Sequence, residues 1–264
     1  MLTKLMKYEF KATARVMVPL CILSVALALV TQITLWELVG KAPGRSPSLL
    51  KLLLLIATAV AMGAVLAATV VLMIQRFRSN LLGDEGHLMF SLPVSSHQHI
   101  WTKLLVAVFW ILATLFILFE STVILGYNGT LWTAFPQIQE FLVSHFSSSS
   151  DLNFSPGVFL AFLFTAIFVG AGELCLEIYA ALALGHSFHK HKTLLSVVFF
   201  LVIQVLYHLT GGITPFLADL AFFLFPPTNI HILDLGVSIV SGLLWAAVLY
   251  VITHYTLKHR LNLE

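Results

Sequence analysis

Leu49 to Ile74 reads LLKLLLLIATAVAMGAVLAATVVLMI, with Lys51 as its only charge. A helix rises 1.5 Å per residue, so about 20 apolar residues cross the ~30 Å hydrocarbon core of a bilayer, and this run is long enough. Five more runs share its character: Val16 to Leu38, Trp101 to Tyr127, Val158 to Leu184, Leu194 to Phe216 and Leu235 to Thr253. A shorter apolar piece, Leu217 to Phe225, ends at Pro226-Pro227 and cannot cross. It reads as part of a re-entrant segment over 217–234.

Composition agrees with six crossings. The 264 residues are 59% hydrophobic and 10% charged, with a mean hydropathy of +0.97. Soluble domains average roughly 45–50% and about 25%. An ordinary water-soluble fold is excluded, and little chain remains for a separate soluble domain. The expected class is an all-α integral membrane protein forming one domain over 1–264. A formal charge of +2 gives no basic excess that would recruit nucleic acid. Cys21 and Cys175 lie inside apolar runs and read as small core residues, not as a disulfide or metal site. A charged stretch precedes the first run and no small-residue cleavage site follows it, so the first span is expected to be retained.

Orientation follows from Lys and Arg. Eleven of the 14 fall on one side of the proposed spans: Lys4, Lys7, Lys11 and Arg15, then Arg76, Arg78 and Lys103, then Lys190 and Lys192, then Lys258 and Arg260. The opposite side has Lys41, Arg45 and Lys51, and the outer segment 129–157 has none. Both termini are therefore expected in the cytoplasm.

On a helical wheel Lys4, Lys7, Lys11 and Arg15 share one face, and Leu2, Leu5, Met6 and Phe10 the other. That pattern predicts an interfacial helix over 1–15, lying on membrane lipid. Glu9 sits among the apolar residues. It either snorkels and pairs locally with lysine or meets a partner subunit.

The longest polar connection on the expected cytoplasmic side is QRFRSNLLGDEGHLMFSLPVSSHQHIWTK, from Gln75 to Lys103. Gly83 and Gly86 bracket Asp84-Glu85, His87 to Leu92 predict a short helix stopped by Pro93, and Ser95 with Gln98 matches a capping box. Leu88, Met89, Phe90 and Leu92 would leave apolar surface outside the bilayer that needs a cover.

Glu85-Gly86, Leu88-Met89, Leu92-Pro93-Val94-Ser95 and Lys103 together resemble the loop between the second and third spans of permease subunits in the second exporter class of ATP-binding-cassette transporters (the ABC-2-type permease family). The N-terminal helix, the six spans and the re-entrant piece are also similar to that family. The chain differs at His97, close to where an Arg often follows the Pro-Val-Ser element. The resemblance implies that 76–100 is a coupling region whose short helix seats in a separate cytoplasmic ATPase subunit. The implied contact residues are Asp84, Glu85, Gly86, His87, Leu88, Met89 and Leu92, with Glu9. It also implies a second permease chain, alike or related, a bacterial plasma membrane, and ATP and Mg at the partner ATPase. The chain has no G-x-x-x-x-G-K-[ST] run, so it is expected to bind no cofactor and to carry no catalytic site.

Three carboxylates fall within spans: Glu120 in the third, and Glu173 and Glu177 in the fourth. Ala166, Gly170, Ala180 and Ala181 share the face of Glu173 and Glu177, a small-residue stripe suited to close packing. No Lys or Arg occurs from Thr193 to Tyr255, so the carboxylates are expected to be protonated, hydrogen-bonded to groups such as Tyr179, Gln204 or His208, or turned toward a water-filled cavity. These carboxylates hold helices together, line a translocation path or carry protons. The last use belongs to a competing reading, a proton-coupled secondary transporter, although no internal repeat supports it. His186, His189 and His191 with Lys190 and Lys192 read as a basic loop drawn to anionic headgroups before they read as a metal site.

Overall fold

The structure is a computed structural model that describes residues 2–39, 49–83, 95–125, 156–188, 190–211 and 230–259. These residues form six long helices: α1 (Leu2–Val39), α2 (Leu49–Phe77), α3 (Ser96–Leu125), α4 (Pro156–Gly185), α5 (Lys192–Thr210) and α6 (Ile230–His259). A π-helical turn, Arg78–Leu82, extends α2. Each helix contains a stretch long and apolar enough to cross a membrane. Leucine, isoleucine, valine and phenylalanine point outward along them, as Val60, Phe116, Phe164, Leu201 and Val251 do, while Thr31, Thr58, Ser24 and Thr253 are wholly buried. Apolar outside and hydroxyls inside is the arrangement that lipid as solvent selects. The chain is a multi-pass, all-α membrane protein.

The first helix departs from the expected division at residue 15. α1 runs unbroken through Arg15 and through Pro19, so no separate interfacial helix forms over 1–15. Proline removes one amide donor and frees the carbonyl of Arg15, a local loss that a spanning helix tolerates. Glu9, Thr13, Met17, Cys21, Ser24, Ala28 and Thr31 then bury one continuous stripe at three- and four-residue spacing. Phe10 is part-exposed and packs its ring edge-to-face on Phe109 at 4.9 Å between centroids.

The chain divides into two compact units. The first comprises Met1–Met6, Met73–Val108 and Ser147–Glu264; the second comprises Lys7–Leu72 and Phe109–Phe146. In the second unit Thr31 and Thr58 join α1 to α2, oxygen to oxygen at 2.7 Å, and Thr69 and Thr114 join α2 to α3 at 2.7 Å. Trp110 donates its indole N–H to Thr13 at 2.8 Å and stacks on Phe10 at 5.2 Å between centroids.

In the first unit α4 packs chiefly against α6 and α5. Every residue from Cys175 to Ala183 is buried, whereas Gly170 has open space where a side chain would be. Among the described residues, the small-residue stripe is therefore covered only in its C-terminal half. Gly185 ends α4 against the backbone of Ser196 on α5, where an added Cβ would lie 2.6 Å from Cα. His191, the only non-glycine residue with positive φ among the described residues, turns the chain into α5 with φ 57°. Cys21 and Cys175 are buried free thiols.

Candidate functional site

Glu173 and Glu177 stand one turn apart on α4, inside the span Ala161–Gly185. At 1.5 Å per residue they lie about 18 and 12 Å along the helix from Gly185, near the middle of a bilayer. Glu177 is buried and Glu173 half-buried. Gln204 on α5 donates Nε2–H to Oε2 of Glu177 at 2.7 Å. On α6, Gly242 leaves room for the other carboxylate: a Cβ there would stand 3.3 Å from Oε2 of Glu173. Trp245 faces Glu177, and the ring of His208 lies 6.0 Å from that of Tyr207 on the same helix. The ring of Tyr207 packs 6.0 Å from that of Trp245.

Two buried atoms here, Oε1 of Glu173 and Nε1 of Trp245, have no hydrogen bond of standard geometry among the described residues. In hydrocarbon, two adjacent ionised carboxylates without a cation would be expensive. The group can therefore share a proton or accept a cation.

Of the expected hydrogen-bonding partners, Gln204 is present. Tyr179 is not: its hydroxyl donates to the Lys103 carbonyl at 3.3 Å, and its ring stacks on Phe77 at 4.1 Å, nearly parallel. Trp245 and Gly242 were not anticipated. A glycine in the middle of an apolar span was the only signal. Glu120 is exposed on α3 and belongs to the second unit, outside this cluster. Glu9 is buried in that unit. Asp84, Glu85, Gly86, His87, Leu88, Met89 and Leu92 lie outside the described residues, as do His189, most of the 129–157 segment and 217–229.

The ends of α2 and α3 that flank residues 84–94 are held firmly. Asn80, with its amide oriented to satisfy both ends, donates to the Arg76 carbonyl at 3.3 Å and accepts from Nζ of Lys103 at 2.9 Å. The amides of Gln98 and His99 both bond the Ser95 carbonyl, starting α3. His97, where the resemblance led toward arginine, meets α6: Nδ1 lies 2.6 Å from the Tyr250 hydroxyl, and its ring stacks 3.8 Å from His254.

His186, just past α4, is buried, and Nδ1 lies 2.9 Å from the Leu182 carbonyl. Burial holds its imidazole below the ordinary range. The Leu182 bond opposes that, while Arg78 and Lys192 reinforce it. The folded state thus gives up this proton more readily than the unfolded chain. The contribution of His186 to stability is complete above about pH 6.5 and is lost as pH falls below it. Thermal unfolding in detergent is expected to show a midpoint that drops between pH 7 and 5 and drops less in His186→Gln.

Together these features define a six-span membrane protein with a polar group at mid-depth and clamped helix ends at one face. Comparison with protein-family models, curated proteins and solved structures gives no match.

Proposed function

We propose that the chain is the membrane-spanning subunit of an ATP-driven exporter of the ABC-2 type, paired with a second permease chain and moved by a separate ATPase at its cytoplasmic face. On this reading it sits in the plasma membrane with both termini inside. The observation that carries the proposal is the clamp around the Gly83–Ser95 connection. Phe77 and Asn80 on one arm and Lys103 on the other are all buried, and Tyr179 of α4 bonds or stacks on both arms. A force on the intervening stretch, which carries the family-like residues, would pass into three spans without slack.

The test is purification with the neighbouring ATPase, followed by ATP turnover with graded cargo. Cargo is expected to stimulate hydrolysis, and Glu85→Ala to cut that stimulation about tenfold, a coupling change of about 1.4 kcal/mol, with basal turnover kept. Transport by the chain alone, driven by an ion gradient, would overturn the proposal.

The second reading, a proton-coupled carrier, is favoured by the Glu173–Glu177 pair itself. Under it, Glu173→Gln and Glu177→Gln abolish the pH dependence of uptake into vesicles; under the exporter reading transport stays tied to ATP in both variants.

A further inference from the structure

At one end of α2, α4 and α5 the first unit contains an open pocket of about 490 Å³, lined by Gln75, Arg78, Ser79, His186 and Lys192 around Leu82. The π-helical turn builds its wall: Arg78 and Ser79 are exposed while Asn80, Leu81 and Leu82 turn inward. The close approach of Gly185 to Ser196 and the left-handed His191 bring Lys192 to the opposite side. All three helices end their membrane-spanning stretches here, at Leu82, Gly185 and Lys192.

We propose that this pocket binds the phosphate group of an anionic phospholipid headgroup. Arg78 and Lys192 supply two cations, Gln75 and Ser79 supply neutral donors, and among the described residues no acidic side chain lines the walls. Lys192 also begins α5, whose N-terminus carries no side-chain cap, so its first amides and the positive end of the helix dipole add to the attraction. The Leu182 carbonyl can only accept, so Nδ1 of His186 must donate to it. In the neutral ring Nε2 is then an acceptor, suited to a hydroxyl on the esterifying alcohol. The pocket is larger than a phosphate alone, leaving space for that alcohol.

A lipid is favoured over a soluble phosphate by the apolar residues beside the pocket in sequence. Phe188 and Leu194, each two residues past a lining residue, His186 and Lys192, are exposed apolar side chains next to the span ends Gly185 and Lys192. The proposal needs only the six-span reading; the orientation proposed above would make the leaflet the cytoplasmic one.

The test uses the full chain in phosphatidylcholine vesicles with spin-labelled phosphatidylglycerol or spin-labelled phosphatidylcholine, reading the immobilised fraction of each. Phosphatidylglycerol is expected to be preferred about tenfold, given two cations near the surface. Arg78→Gln and Lys192→Gln should each cut the preference about threefold. Lys190→Gln, an exposed cation of the same loop outside the pocket, should leave it unchanged. Should the Lys192 variant fail to fold, the exposed Arg78 carries the comparison. Equal fractions of the two lipids, or an equal loss in Lys190→Gln, would overturn the site. Millimolar inorganic phosphate is expected to leave the preference intact, and its abolition there would overturn the lipid as occupant.

Discussion

Tyr179→Ala is expected to cost about 3–5 kcal/mol, as for other large buried aromatic side chains cut back to alanine. Tyr179 is 2% exposed and Phe77, stacked on it, 0%, so neither ring can relax into solvent when the other is removed. Tyr179→Phe keeps the stack and loses the 3.3 Å bond to the Lys103 carbonyl, a change worth about 0.5–1.5 kcal/mol. Reversible unfolding by sodium dodecyl sulfate, followed by tryptophan fluorescence, separates the two. Equal losses in both variants would mean that the ring stack is not what ties α2 to α4.

Gly185→Val should follow with a loss of about 1–3 kcal/mol or more. The Cβ would lie 2.5 Å from the backbone N and 2.6 Å from Cα of Ser196, and backbone cannot swing aside as a side chain tip can. Ser196→Ala therefore should not rescue the variant. Unchanged unfolding of Gly185→Val would show that the α4–α5 turn is looser than this contact requires. The same variant moves Lys192, so the phosphatidylglycerol preference is expected to fall with it.

The six spans were legible because crossing a bilayer demands length and apolarity, and both are written linearly in runs such as Leu49 to Ile74. The sequence suggests a boundary at residue 15, whereas α1 continues unbroken through it. The Lys4, Lys7, Lys11 and Arg15 face marks where charge meets headgroups, not where the helix breaks, and the stripe from Glu9 to Thr31 continues across that point. Facing partners were harder to read. A spanning helix that is apolar all round has no wet side to mark its inner face, so Trp245 and Gly242 gave no warning that they would meet the carboxylates of α4. Glu177 and Gln204 were legible because a polar group in hydrocarbon needs a partner and few were available. Threonine passes nearly unmarked in hydropathy, which hid the pairs linking α1, α2 and α3.

Thr31 and Thr58 meet at 2.7 Å, yet each hydroxyl also lies 2.8 Å from the carbonyl four residues back, that of Leu27 and that of Leu54. Each hydroxyl has one hydrogen, so the two oxygens form two donated bonds at any moment. If α1 and α2 part, each proton swings to its own helix and two bonds remain. The pair therefore sets the register of the helices while adding little to their adhesion, like a latch that aligns a door without locking it. A membrane protein that must rock between states gains from such a joint, because neither position strands a polar group in oil.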